Sequence, residues 1–143
     1  MKKQLWFIGG GEVHESREDF LHFLKNYPYE MDGPYSDWKS WMRSGLADEY
    51  QSIKPDFPNR QNADYDAWKI WFEKYIAQYI ASPTREETKA PNDTEEFSYG
   101  GSPKVTIIAH SLGGIFIAKY LSENMFPVRI ISLHMVAGVF DNE

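Results

Sequence analysis

The sequence predicts an α/β domain, a mostly parallel sheet with helices on both faces. Three observations predict it. Short apolar runs at 5–8, 105–109 and 129–136 read as buried strands. Stretches with helical spacing of apolar residues lie between them. Strands and helices alternate along the chain, the order that builds βαβ units. With 143 residues, no internal repeat and no clear boundary, the chain reads as a single domain spanning 1–143.

Each element has a local cause. Leu5-Trp6-Phe7-Ile8 meets Gly9, Gly10 and Gly11, a buried strand entering a tight loop. A helix follows at about 15–25, where Ser16 with Asp19 three residues later forms a capping pair and Phe20, Phe23 and Leu24 make the apolar face. Residues 27–36 hold two prolines and a glycine and read as loop. A second short helix runs over 37–44, capped by Asp37, with Trp38, Trp41 and Met42 on one face and Gly45 as its stop. A strand at 50–54 ends at Pro55 and Pro58.

Trp68, Trp71, Phe72, Tyr75, Ile76, Tyr79 and Ile80 then form one continuous helical stripe. Its other face mixes Asp64, Asp66 and Glu73 with Lys69 and Lys74, so the stripe packs on a sheet rather than on an anionic membrane. The pairs Trp38/Trp41 and Trp68/Trp71 read as core packing rather than as a ligand wall. Residues 82–103 are rich in Pro, Thr, Glu, Asp, Ser and Gly and read as a long flexible surface loop. A strand at 105–109, a turn, a helix at 115–124 containing Ala118, Tyr120 and Leu121, and a strand at 129–136 complete the pattern.

Composition narrows the function classes. Five Trp, nine Tyr and nine Phe need a packed interior, which argues against a disordered chain. The absence of cysteine excludes disulfides, thiolate metal sites and a cysteine nucleophile, and agrees with a reducing cytoplasm. A net charge of −6 argues against a nucleic-acid or anionic-membrane surface. The run 5–8 is too short for a secretory leader, and no run suffices for a membrane span. Asn92-Asp93-Thr94 matches a glycosylation acceptor, but with no secretory signal none is expected there. The expected location is therefore cytoplasmic.

Ala109-His110-Ser111-Leu112-Gly113 lies between a predicted strand and a predicted helix, the context of a nucleophile elbow. Such a serine occupies a strained turn that lifts its hydroxyl above the sheet. Residues two before and two after must be small, and Ala109 and Gly113 are. The following helix N-terminus favours a developing negative charge. The backbone N–H of Leu112 is one expected oxyanion donor, and Gly10 or Gly11 supplies the second from the loop after the first strand.

On these residues the chain resembles an α/β-hydrolase, specifically the small cofactor-free serine hydrolases of the retinoblastoma-binding-protein type. The matching stretches are 5–12, Asp56-Phe57-Pro58-Asn59, Trp68-Lys69-Ile70-Trp71, and 105–114. Relatives often carry His-Gly in the first loop, where this chain has Gly9-Gly10. The resemblance implies hydrolysis of a small ester, thioester or amide, a small-molecule acyl substrate, and no cofactor or metal.

A serine nucleophile needs a histidine base and an acid to orient it. The expected order is Ser, then acid, then His. After Ser111 the chain offers Glu123, Asp141 and Glu143 as acids but only His134 as a base, inside a strand. By this template two more strand–helix units are expected beyond 143, and the chain reads as the N-terminal two-thirds of the fold. Among local candidates, His14 sits in the loop after the first strand and Asp141 follows a strand end. His110 neighbours Ser111, so its side chain is expected to point elsewhere, and His22 is expected on a solvated helix face. Truncation leaves 129–136 as an apolar edge strand, so self-association through it is expected.

Two other readings compete. A non-catalytic protein that keeps the fold to bind a ligand or partner needs no base. A nucleotide-binding domain built on Gly9–Gly11 would need its third glycine where His14 stands, and its ribose-binding acid, Glu30 or Asp32, lies in a loop. No Walker A sequence occurs, and Glu12-Val13-His14-Glu15 lacks the two-histidine spacing of a zinc site.

Overall fold

The computed structural model describes residues 3–26, 38–80 and 102–136. The loop at 27–36, most of the 82–103 loop, the acidic residues Glu30 and Asp32, the cap Asp37, the acceptor Asn92, and Asp141 and Glu143 lie outside them.

The described chain runs β1 (Lys3–Ile8), α1 (Arg17–Asn26), α2 (Trp38–Gly45), β2 (Tyr50–Ile53), a 3₁₀ turn (Arg60–Asn62), α3 (Tyr65–Tyr79), β3 (Val105–His110), α4 (Leu112–Glu123) and β4 (Ile130–Val136). The four strands form one parallel sheet in the order β2-β1-β3-β4. From β1 the chain first steps outward to β2. It then crosses back to β3 and continues to β4. Parallel crossovers are right-handed, so the reversal of direction moves the connecting helices to the opposite face.

Packing follows that rule. Alternate residues of β1 and β3 face opposite ways. Leu5, Phe7 and Ile108 pack with Met42 of α2 and with Leu46. Trp6, Ile8, Ile107 and Ala109 face the larger core, with Trp68, Phe72 and Ile76 of α3 and Phe116, Ile117 and Tyr120 of α4. The expectation of helices on both faces is met.

Trp6 centres this core. Its ring meets Phe72, Tyr79 and Phe126 edge-on at 5.7, 6.3 and 6.1 Å. Gln4, buried beside it, accepts the Trp6 indole N–H at 3.0 Å and donates to the Tyr79 carbonyl at 2.8 Å. One amide thus ties the start of β1 to the end of α3. On the next strand Ser132 donates its hydroxyl to buried Thr106 at 3.1 Å, beside a register shift between Val105 and Thr106.

Helix starts are capped locally. The Asp19 N–H donates to the Ser16 hydroxyl at 3.1 Å, as the pair at 16 and 19 predicts. Asp64 caps α3 by accepting from the Ala67 N–H at 2.8 Å. The stripe on α3 buries Trp68, Phe72 and Ile76.

Three expectations need correction. Trp41 is 78% exposed rather than part of the core, and Trp71 is also surface-exposed while Trp68 is buried. Period alone cannot say how wide a stripe the sheet covers. Helix α1 buries no residue, so Phe20 and Phe23 are only partly covered and Leu24 is exposed. Helix α4 begins at Leu112 rather than at 115. Gly113 and Gly114 read as a break, yet both are buried where the helix approaches the sheet.

Candidate active site

The reversal of strand order lies between β1 and β3, adjacent and in register from Gln4↔Val105 to Ile8↔Ala109. In open α/β sheets ligands bind at such a switch point, outside the carboxyl ends of the strands. The loop at Gly9–Gly11 and the turn at Ser111 leave those two ends, so the sheet order brings them together.

Ser111 adopts φ 53, ψ −130, a conformation that an L-residue holds only under strain. Ser111 and Asn59 are the non-glycine residues with positive φ among the described residues. The turn is pinned on both sides. The Ser111 N–H donates to the Val136 carbonyl at the end of β4 at 3.0 Å, and its carbonyl accepts the Gly114 N–H at 2.8 Å. Helix α4 opens at the next residue, where backbone N–H groups have no acceptor within the helix.

The glycines fit for steric reasons. A β-carbon on Gly113 would stand 2.6 Å from the Ile8 carbonyl oxygen and would also strike the Gly9 carbonyl. One on Gly10 would stand 3.1 Å from Ser111 Cβ and 3.5 Å from its Oγ. One on Gly11 would stand 2.7 Å from the Arg60 carbonyl oxygen and 3.0 Å from the Trp68 ring. The glycine loop is then fixed by reciprocal bonds of 2.7 Å. The Glu12 N–H donates to the Arg60 carbonyl, and the Ala63 N–H donates to the Glu12 carbonyl. Trp68 anchors this second loop, donating its indole N–H to the Pro58 carbonyl at 2.9 Å and stacking on Phe57 at 4.4 Å.

A cleft of about 320 Å³ lies over this junction, bordered by Gly10, Gly11, Glu12, Phe23, Arg60, Gln61, His110 and Ser111. Three of the expected site residues, Ser111, Gly10 and Gly11, border one cleft, and Leu112 directly follows Ser111. His110, expected to point elsewhere, borders the same cleft. Arg60, Gln61 and Phe23 carry no catalytic motif and are joined to the site only by folding.

The candidate bases and acids are spread out. The His14 ring Nε2 lies 3.0 Å from the Gln61 carbonyl. A carbonyl only accepts, so Nε2 carries a hydrogen and donates it. The ring also packs on Phe23 at 4.7 Å and Phe20 at 5.4 Å, and no hydrogen bond joins it to Ser111. His134 is exposed on β4, opposite Ile108. His22 is exposed on α1 and faces Asn26. Glu123 ends α4, roughly 17 Å along the helix axis from Leu112. There it accepts the Tyr65 hydroxyl at 2.6 Å and lies 4.0 Å from Lys119. Burial and then the Glu123 carboxylate push Tyr65 up to about 12. Among the described residues the Ser111 hydroxyl has no hydrogen-bond partner, and no group of three or more His, Cys, Asp or Glu gathers to hold a metal ion.

The glycine loop is also unlike a dinucleotide site, because α1 begins at Arg17 rather than at the glycines. Among the described residues no helix is long and apolar enough to cross a membrane.

Comparison with protein-family models, with curated proteins and with solved structures found no match. The fold is a small parallel α/β sheet with helices, and the cleft at its switch point is the candidate site.

Proposed function

We propose that the protein is a serine hydrolase acting on a small ester, thioester or amide through Ser111. The observation that carries this reading is the Ser111 conformation, φ 53 and ψ −130, at a strand–helix turn packed against Gly10. Strain of this kind costs on the order of 1–3 kcal/mol and persists where the surroundings enforce it, as they do at active sites. Ser111 Oγ attacks the substrate carbonyl carbon. The carbonyl oxygen becomes an oxyanion held by the Leu112 N–H and by the N–H of Gly10 or Gly11. The hydroxyl proton passes to a histidine base and from it to the departing alcohol, thiol or amine, and the acyl group stays on Oγ. Water activated by the same base then cleaves the acyl–Oγ ester to release the acid and restore the serine. His14 and Asp141 remain the local candidates for base and acid.

A second reading, a ligand-binding protein that keeps the fold without catalysis, is favoured by one observation. No base touches the Ser111 hydroxyl among the described residues.

Fluorophosphonate labelling of the protein as the cell makes it separates the two. Covalent labelling that maps to Ser111, with ester hydrolysis lost in Ser111→Ala, is the result expected of the hydrolase. An unlabelled Ser111, with hydrolysis of no ester, overturns the hydrolase and favours the binding reading.

A further inference from the structure

A second cavity of about 270 Å³ lies on the α3–α4 side of the elbow, bounded by Val13, Ala63, Trp68, Leu112, Ile115 and Phe116 among others. We propose that it is the acyl-chain subsite of the Ser111 cleft, and that the substrates carry short apolar acyl groups. The proposal rests on the nucleophile reading above.

Chain continuity places the two cavities side by side. Glu12 borders the cleft and Val13 the cavity, while Ser111 borders the cleft and Leu112 the cavity. Consecutive α-carbons are about 3.8 Å apart, so the two cavities adjoin within one residue's length of backbone beside Ser111.

Chemistry assigns the two arms of the substrate. The cleft presents Glu12, Arg60, Gln61 and His110, which suits a polar leaving group. The cavity is apolar, and its polar neighbours are already engaged. Asp64 caps α3, and the Lys119 ammonium sits 4.0 Å from the Tyr65 ring centre. Leu112 ties the acyl arm to the cavity, since its N–H is the proposed oxyanion donor and it also borders the cavity. At roughly 30 Å³ for each water-sized group the cavity holds about nine such groups at most, which fits acyl chains of about four to eight carbons.

The test uses the protein as the cell makes it and methyl esters from acetate to dodecanoate. Each added methylene buried raises kcat/KM about fourfold until the cavity fills, with the optimum between butanoate and octanoate. Ile115, 40% exposed at the rim, accepts a larger side chain without disturbing the core. Ile115→Trp is expected to move the optimum to shorter acyl groups, and Ile115→Ala to longer ones. Titrating methyl hexanoate into the Ser111→Ala variant is expected to shift the methyl resonances of Leu112 and Ile115 and the indole resonance of Trp68. A flat chain-length series, or no shift at these residues, overturns the subsite. Preference for hexyl acetate over methyl hexanoate overturns the assignment of the arms. Hydrolysis of no ester at all overturns the nucleophile reading, and the acyl assignment with it, even where methyl hexanoate still shifts the cavity resonances.

Discussion

Gly113 and Ile8 approach so closely that no β-carbon fits between them, since one built on Gly113 would stand 2.6 Å from the Ile8 carbonyl oxygen. The obstacle is backbone on both sides, so no rotamer change relieves it. Gly113→Ala is expected to destabilise the fold by about 1–3 kcal/mol, the usual range for overpacking, and to sit at its upper end. Urea unfolding measures it. An unchanged midpoint would mean that α4 does not meet β1 at this point.

The Ser111 turn yields a paired prediction. Ser111→Ala keeps a β-carbon at φ 53 and retains the strain, whereas Ser111→Gly releases it. Allowing for the greater freedom of glycine in the unfolded chain, Ser111→Gly is expected to be more stable than Ser111→Ala by about 1 kcal/mol. Thermal unfolding of the two variants, neither of which carries the hydroxyl, checks this directly.

Gln4 satisfies two groups at once, the buried Trp6 indole and the partly buried Tyr79 carbonyl. Gln4→Leu leaves both without that partner and is expected to cost about 1–3 kcal/mol, more than the added apolar contact returns. Equilibrium denaturation that shows Gln4→Leu as stable as the parent would remove Gln4 from its place as the tie between β1 and α3.

Tyr65 gives a pH dependence. Its folded value is about 12 against an ordinary 10.0, through burial and then the Glu123 carboxylate. Below pH 10 both states keep the proton, and the stabilisation is complete. Between pH 10 and 12 the unfolded chain releases it while the folded chain holds it, so stability falls as pH rises. Tyr120, raised by burial and then by Glu73, acts in the same direction. Tyr65→Phe is expected to flatten the decline between pH 10 and 12, read from urea midpoints across that range.

Strand β4 is an edge of the described sheet, with Ile131, Leu133, Met135 and Val136 exposed. An apolar edge pairs readily with another chain. Sedimentation velocity is expected to show association that rises with concentration and weakens in Leu133→Lys. A monodisperse monomer at all concentrations contradicts the expectation of self-association.

Much of this architecture is written locally. The Leu5–Ile8 run, the Ser16–Asp19 pair and the stripe through Trp68, Phe72 and Ile76 each depend on neighbours within a turn or two. The turn at Ser111 was also legible, because the small residues Ala109, Ser111 and Gly113 lie where two recognisable elements meet. The start of α4 was not. Glycine disfavours a helix by its own propensity, and the close approach of the Ile8 and Gly9 carbonyls to Gly113 and of Met135 on β4 to Gly114 gives both a reason to be there. Trp41 and Trp68 have the same side chain on similar helical faces, yet one is 78% exposed and the other 2%. Sequence spacing reports a face but not what lies opposite it.

The sequence by itself determined the strands and helices, the capping of α1 and the serine at the turn, since these rest on short-range sterics and hydrogen bonding. The tertiary structure decided that Gly10 lies against Ser111, that Arg60 and Gln61 join their cleft, and that Leu112 borders a separate apolar cavity. Those relations depend on strand order. The order β2-β1-β3-β4 is set by how the whole chain buries its two apolar layers, and no local window contains that choice.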